Sequence, residues 1–200
     1  MSRPSLLIYT KPPVMGLAKT RLAAGLGRTE ARRIAGFLLS HTLRTVRASG
    51  CNVTLHVSPD QAAGQPGRFF RTSYRLRPQG PGTLGERLSR GFDEAPPGPV
   101  LFIGADAPGL TPALLRRAVR LLNRHDAVFG PAEDGGFWLL GLHKRPGSTA
   151  PFAGVRWSGP HALSDVRANL PFSCRLGLLP VLQDVDEAKD WRQWTANNFH

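Results

Sequence analysis

Cysteine and long apolar runs are both scarce in this 200-residue sequence. Its two cysteines, Cys51 and Cys174, stand in unrelated contexts, which argues against a disulfide scaffold or a cysteine-based zinc site. This usage is typical of a reducing compartment, and we expect a cytoplasmic protein. Before Lys11 the apolar run covers only residues 6–9, too short for a signal peptide or a membrane span.

Lysine is also scarce, with 4 residues against 22 arginines, so guanidinium groups carry most of the net charge of +12. Such an excess favours anionic partners such as nucleotides and phosphorylated metabolites. The basic residues form no long run interleaved with aromatics, so nucleic acid is not the expected partner. The length and the 41% hydrophobic content indicate one globular domain over residues 1–200.

Several catalytic motifs are absent. There is no Gly-x-Ser-x-Gly elbow and no His-Glu-x-x-His, and the six histidines lack ligand spacing, so nothing supports a hydrolase triad or catalytic zinc. The Lys19 loop lacks the glycine that precedes the lysine of a Walker A motif. Gly80-x-Gly82-x-x-Gly85 matches a dinucleotide fingerprint, but a charged segment precedes it and Pro81 removes a backbone N–H, which disfavours a Rossmann site.

Short apolar runs alternate with helical patterns along the chain, which indicates an α/β layer architecture with a mainly parallel sheet. The expected helix caps are Thr29 for a long helix to about residue 49 and Asp186 for the last helix. A weak edge strand is expected within residues 69–77. The other predicted strands cover residues 6–9, 52–57, 100–104, 127–129, 137–142 and 176–182.

Asp106 follows the most clearly buried predicted strand. Thr111-Pro112 then opens a helix, so this carboxylate stands just past the C-terminal end of a central strand, where open α/β sheets bind ligands. The alternative is a loop aspartate that caps its own turn. Because carboxylates with few histidines suit Mg²⁺ or Mn²⁺, Asp106 is a candidate metal ligand.

A basic loop follows the first strand and ends in Lys19-Thr20-Arg21 at a predicted helix start. Cationic side chains and free N–H groups at such a position are typical of a phosphate cradle, while a solvated basic loop is the alternative. Asp134, before Gly135-Gly136, is a second acid near a strand end and the first candidate for a partner of Asp106. It could equally form a hairpin turn.

Thr83 and Glu86 fit a capping box at the start of a helix, so Glu86 is either a helix cap or a site residue. The sequence leaves both interpretations open.

The order of motifs resembles the bacterial glycosyltransferase-A-like family that includes proteins linked to arsenosugar biosynthesis. The resemblance covers nearly the whole chain and implies a nucleotide-diphospho-sugar transferase fold, a three-layer αβα arrangement around a mixed, mostly parallel sheet. The motifs are Lys11-x-Pro-x-x-Gly16-x-x-Lys19-Thr-Arg21-Leu, Gln79-Gly80-x-Gly82-x-Leu-Gly85-Glu-Arg, Gly104-x-Asp106-x-Pro-Gly-Leu-Thr-Pro, Gly130-Pro-Ala-x-Asp134-Gly135-Gly136, Trp157-Ser and Asp184-Val-Asp186.

The resemblance also implies a role for each matching residue. Asp106 is the implied metal ligand, although Ala105 and Ala107 replace the family's usual threonine and cysteine, and the motif has one acid rather than Asp-x-Asp. The implied donor-phosphate residues are Lys11, Gly16, Lys19 and Arg21; those of the base and ribose side are Gln79, Gly80, Gly82 and Gly85; those of the sugar or acceptor are Asp134, Gly135, Gly136 and Trp157.

These observations predict a metal-assisted glycosyltransferase that moves a sugar from a nucleotide-diphosphate donor to a small-molecule acceptor, with Asp106 and Asp134 catalytic. One alternative is a nucleotidyltransferase that joins a nucleoside triphosphate to a phosphorylated metabolite. A second alternative is a non-catalytic nucleotide- or RNA-binding protein, given the charge of +12.

Overall fold

Seven strands and six α-helices alternate along the computed structural model, which describes residues 3–65, 67, 70 and 72–198. The strands are β1 Ser5–Thr10, β2 Asn52–Val57, β3 Arg75–Pro78, β4 Gly98–Ile103, β5 Ala127–Pro131, β6 Phe137–Lys144 and β7 Leu176–Leu178. The helices are α1 Thr20–Leu26, α2 Arg28–Val46, α3 Leu84–Glu94, α4 Pro112–Leu122, α5 Ala162–Ala168 and α6 Ala188–Asn198, with a 3₁₀ helix at Asp60–Gly64.

The strands form one sheet in the order β3-β2-β1-β4-β6-β5-β7. Every neighbouring pair is parallel except the two pairs that include β6, so the predicted mixed, mostly parallel sheet is confirmed. Central Ile8 lies opposite Leu55 on one side and Ile103 on the other. Helices cover both faces, which explains why β1 and β4 read as apolar without alternation.

Two apolar clusters fill the two sides of the sheet. One contains Leu39 of α2 and Leu115 of α4, and the other contains Leu88 and Phe92 of α3 and Val166 of α5. A smaller cluster joins α1, α2 and α6. The predicted three-layer αβα arrangement is therefore confirmed.

Two helices, α3 and α4, begin where the sequence predicts, and α2 does not. The Thr83 hydroxyl accepts a hydrogen bond from the Glu86 N–H, and a Glu86 carboxylate oxygen accepts one from the Thr83 N–H at 2.6 Å, which confirms the capping box. Thr111 caps α4, with Pro112 at its first position. Thr29 is not the cap of α2, because α2 begins at Arg28 and Thr29 lies inside the helix. The residue before the helix is Gly27, whose φ of 82° favours glycine.

Two other boundaries differ from the prediction. Asp190, not Asp186, accepts the N–H groups of residues 186 and 187 at the start of α6, because the Asp186 carboxylate turns toward Lys19. Strand β7 ends at Leu178, and only one further bridge follows it. The short edge strand expected within residues 69–77 is confirmed as β3, which lies at the edge of the sheet and ends one residue beyond that range, at Pro78; Phe69 and Arg71 lie outside the described residues.

None of the helices in the described ranges is both long enough and apolar enough to cross a membrane.

Candidate active site

A cavity of about 490 Å³ opens at the edge of the sheet where β1 and β4 end and where β6 begins. This edge is where open α/β sheets bind their ligands. The residues predicted for the site that line this cavity are Lys11, Lys19, Arg21, Gln79, Asp106, Asp134, Gly136 and Trp157.

Lys19 bridges two carboxylates inside the cavity. Its Nζ lies 2.6 Å from Asp186 Oδ1 and 3.5 Å from Asp106 Oδ2, and the side chain is 14% exposed. Burial by itself lowers the pKa of this ammonium, but the charges of Asp106 and Asp186 outweigh it and raise the pKa. The backbone of Lys19 is left-handed, with φ 53°, an uncommon state for a side chain other than glycine. These ion pairs hold the basic segment, residues 11–21, against the end of β4.

Asp106 has its position because of two backbone features. A Cβ at Gly104 would lie 2.4 Å from Asp106 Oδ1, so glycine is needed for the carboxylate to fold back over the strand end. The Asp106 carbonyl accepts a hydrogen bond from the Val185 N–H at 2.9 Å. That bond brings the two neighbouring acids, Asp184 and Asp186, to the site from the other end of the chain.

Asp184 is the second acid of this segment on the cavity wall. Burial, followed by the charges of Asp134, Asp106 and Asp186, raises the pKa of Asp184 to about 7. The residue that shares a cation with Asp106 is thus Asp186 rather than Asp134. The sequence signal for this part of the site is the pair of acids around Val185, which by itself predicts only a family motif and a helix cap.

Within the described ranges, no group of three or more His, Cys, Asp or Glu side chains has the geometry of a metal site. The donor chemistry nevertheless fits Mg²⁺ or Mn²⁺. Magnesium is usually held by one or two carboxylates together with waters and substrate phosphates. Asp106 and Asp186, which already share one cation, meet that description.

Asp134 lies in the hairpin between β5 and β6, where it both closes the turn and lines the cavity. Its Oδ1 accepts the Gly136 N–H at 2.8 Å, which closes the turn, and its side chain also lines the cavity. Gly135 has φ 86°, and a Cβ there would lie 2.6 Å from the Pro160 backbone. Pairing with β6 shifts register between Gly130 and Pro131.

Five of the glycines predicted for the site are not among the residues that line the cavity: Gly16, Gly80, Gly82, Gly85 and Gly135. Packing within the protein explains two of them: a Cβ at Gly80 would lie 2.6 Å from the Arg90 guanidinium, and one at Gly82 would lie 2.3 Å from the Glu86 carboxylate. Glu86 also lies off the cavity lining, at the helix cap described above.

Gln79 lines the cavity, but its side chain is already engaged. Its Nε2 donates to the carbonyls of Thr10 and His56, and its Oε1 accepts from Arg87. These bonds tie the ends of the neighbouring strands together.

One side of the cavity is apolar, and we call it the aromatic half. It is lined by Tyr9, Leu84, Leu88, Phe102, Phe137 and Trp157. Phe137 and Trp157 pack edge to face with ring centroids 6.2 Å apart, and Trp157 contacts Phe152 at 6.1 Å. Trp157 is the only one of these side chains that the sequence predicts for the site, because the others have the pattern of strand and helix core.

A model of the family described as "Uncharacterized protein conserved in bacteria (DUF2064)" matches residues 42–159. A search of the curated proteins finds no significant match.

Solved structures similar to the chain share its fold. A proposed nucleotide-diphospho-sugar transferase from Desulfovibrio desulfuricans G20 is 25% identical, with TM-score 0.86 over 100% of this chain and 89% of that chain. The 4-diphosphocytidyl-2C-methyl-D-erythritol synthase from Anaerococcus prevotii DSM 20548 is 13% identical, with TM-score 0.64 over 98% of each chain. Rv0371c from Mycobacterium tuberculosis H37Rv, solved with manganese, is 18% identical, with TM-score 0.56 over 96% and 97%. The nucleotide-diphospho-sugar transferase fold predicted above is thereby confirmed.

Proposed function

The chain belongs to the bacterial family DUF2064, and from that premise we propose that it is a metal-assisted glycosyltransferase that uses a nucleotide-diphosphate sugar. The observation that carries the proposal is the grouping of charge in one cavity. Lysine and arginine side chains of the basic segment lie beside the carboxylates of Asp106 and Asp186. A donor diphosphate needs both groups, cations for its oxygens and carboxylates for the metal ion that it carries.

The basic segment is the proposed donor-phosphate site. Lys11 and Arg21 are exposed on the cavity wall and are free to meet the diphosphate oxygens. Lys19 joins them once it leaves the two carboxylates that it bridges in this structure. Asp106 and Asp186 would then hold Mg²⁺ or Mn²⁺. When bound, the ion supplies positive charge that offsets the charge growing on the departing diphosphate.

Asp134 is the residue proposed to act on the acceptor molecule. Its exposed carboxylate faces the cavity, with Oδ1 fixed by the Gly136 N–H. The acceptor oxygen forms a bond to the anomeric carbon while the bond from that carbon to the diphosphate oxygen breaks. The acceptor proton passes to the Asp134 carboxylate, which acts as general base.

Nucleotidyl transfer is the second candidate. The three cations of the basic segment suit a triphosphate as well as a diphosphate, and a structural neighbour is named as a diphosphocytidyl-compound synthase. In that reaction a phosphorylated metabolite attacks the α-phosphate of a nucleoside triphosphate, and pyrophosphate leaves.

A thermal-shift panel with mass-spectrometric product analysis tests the proposal. Nucleoside mono-, di- and triphosphates and nucleotide sugars are added with and without Mn²⁺. A ligand at 100 times its Kd stabilises by about 2.7 kcal/mol, a rise in Tm of roughly 5–10 °C for a chain of this size. Asp106→Ala is expected to remove the metal-dependent part of the rise.

The products separate the candidates. Release of a nucleoside diphosphate from a nucleotide sugar supports glycosyl transfer. Pyrophosphate release from a triphosphate and a sugar phosphate supports the second candidate and contradicts the first. Ligand binding without turnover of any donor supports a non-catalytic nucleotide-binding protein.

A further inference from the structure

Phe137 and Trp157 of the aromatic half pack with a different part of the core from the helices beside Lys19. Tyr9, Phe137 and Trp157 pack with the cluster that includes α3 and α5. Lys19 immediately precedes α1 and reaches Asp186, which lies just before α6. Helices α1 and α6 pack in a separate cluster with α2. The cavity therefore offers two unlike surfaces to a donor and an acceptor.

The rings of the aromatic half are held in fixed orientations. Phe137 is perpendicular to Trp157 and also packs edge to face on Phe129. The Trp157 ring lies against the first turn of α3, where a Cβ at Gly85 would come within 3.1 Å of the indole Nε1. Both Phe137 and Trp157 are half-buried, so they line the cavity and are anchored by the core.

The acidic and basic residues of the cavity lining come from different segments of the chain. Among the described residues that line the cavity, the lysines and arginines all come from the basic segment. The charged lining residues from the β5–β6 hairpin and the segment after β7 are Asp134, Asp184 and Asp186, and Lys19 already neutralises Asp186. Asp134 stands three residues before Phe137, in the hairpin that leads into β6.

We infer that the aromatic half is an acceptor subsite for a neutral or cationic molecule with an apolar ring face, and that it rejects phosphorylated acceptors. This inference rests on the proposed function, which assigns the donor phosphates to the basic segment. A ring face gains contact with the fixed aromatic edges. A phosphate beside Phe137 and Trp157 meets the Asp134 carboxylate of the adjoining hairpin, while the lysines and arginines of the cavity lining lie in the basic segment, so its desolvation is poorly compensated. Glycosyl transfer to a hydroxyl suits this subsite, and nucleotidyl transfer to a phosphorylated metabolite does not.

Three probes with one common ring test the inference: 2-phenylethanol, 2-phenylethylamine and 2-phenylethyl phosphate. Their affinities are measured by ligand-observed NMR in saturating Mn²⁺ and inorganic pyrophosphate, which occupies the basic segment. We expect the alcohol and the amine to bind, and the phosphate ester to bind at least tenfold more weakly than the alcohol. Equal or tighter binding of the phosphate ester overturns the inference, as does failure of all three probes to bind.

Variants show where in the cavity the probes bind. Trp157→Ala is expected to weaken the alcohol and the amine at least tenfold and to leave pyrophosphate affinity unchanged. Phe172→Ala is the matched control, because Phe172 is fully exposed and lies off the cavity. Leu84→Arg keeps the core intact, since Leu84 is 41% exposed, and adds a cation to the aromatic half. It is expected to raise affinity for the phosphate ester at least tenfold.

The experiment also separates this inference from the proposed function. If pyrophosphate and Mn²⁺ do not bind to the protein, the donor assignment fails. If they bind and Leu84→Arg leaves the affinity for the phosphate ester unchanged, only the acceptor assignment fails.

Discussion

Lys19 Nζ lies 2.6 Å from Asp186 Oδ1, and 167 positions of sequence separate the two residues. The same ammonium lies 3.5 Å from Asp106 Oδ2. A lysine predicted to hold donor phosphates thus occupies the place between two carboxylates where a divalent ion would be held. An ammonium cannot neutralise this pair and a diphosphate fully at once, so a divalent ion at the proposed metal site would compete with Lys19 for the carboxylates and would release Lys19 to the donor.

Replacing Lys19 tests this competition. In Lys19→Met, two half-exposed carboxylates lose their counter-ion, and we expect the metal-free protein to lose about 1–2 kcal/mol of stability. Mn²⁺ is expected to raise the Tm of the variant more than that of the wild-type protein, because no ammonium must be displaced. The measurement is thermal unfolding with and without Mn²⁺.

Lys189→Met is the matched control, since Lys189 is 75% exposed and pairs only with Glu187 among the ion pairs of the described residues. It removes the same charge without touching the cavity. An equal Mn²⁺ response in Lys19→Met and the wild-type protein would contradict the competition.

Gly104→Ala tests the placement of the Asp106 carboxylate. The new Cβ would lie 2.4 Å from Oδ1, so the carboxylate must turn away. We expect Mn²⁺ affinity, measured by electron paramagnetic resonance, to fall at least tenfold. Gly64→Ala is the control, because a Cβ at that position meets nothing within 4 Å. Unchanged Mn²⁺ affinity in Gly104→Ala would remove Asp106 from the proposed metal site.

His56 gives the protein a defined pH dependence. Burial, the larger cause, lowers the pKa of this ring to about 4, and the ring stacks on Tyr9 at 4.9 Å. In the unfolded chain the imidazole takes up a proton near pH 6.5. The neutral ring therefore makes its full contribution to the free energy of unfolding above pH 6.5. This contribution is lost as the pH falls to about 4, which lowers the free energy of unfolding by about 3 kcal/mol.

The variant for this measurement is His56→Phe, which keeps a ring against Tyr9 and cannot titrate. Urea unfolding at several pH values is expected to show the free energy of unfolding of the wild-type protein falling toward pH 4 relative to that of the variant. Parallel pH profiles for the two proteins would show that His56 does not titrate as described.

Lys144 closes the end of α3. Its Nζ donates to the carbonyls of Phe92, Asp93 and Ala95 at 2.7–2.8 Å and lies 5.3 Å from the centre of the Phe92 ring. Charged hydrogen bonds to a helix C-terminus stabilise it, so Lys144→Met is expected to lower the free energy of unfolding by about 1.5–3 kcal/mol. Chemical denaturation measures this loss, and a change as small as that of Lys189→Met would contradict it.

Local signals were enough to predict much of this fold. The buried runs of β1 and β4, the Thr83–Glu86 capping box and Thr111-Pro112 each depend on residues close in sequence. The prediction that Asp106 belongs to the site has the same local basis, since this residue stands three positions after the end of β4.

The rest of the site depends on contacts between distant residues. The Val185–Asp106 hydrogen bond brings Asp184 and Asp186 across 78 to 80 positions of sequence, and no local pattern reports it. Phe137 reads as the start of a strand, and only the reversed direction of β6 places it at the ligand edge. The glycines near residue 80 appeared suited to a ligand, yet Arg90 and Glu86 fill the space beside two of them.

The register shift between Gly130 and Pro131 has a consequence for how this protein can change. Side chains alternate between the two faces of a strand, so the register at this point sets which face of the sheet each residue of β6 occupies. Strand β6 also pairs with β4, from Ile103 opposite Leu139 to Gly98 opposite Lys144, so a second register holds the residues that follow the hairpin. A change of hairpin length is therefore expected to be absorbed within residues 132–136, where it would reshape the proposed acceptor side of the cavity and leave the strand that precedes Asp106 in place.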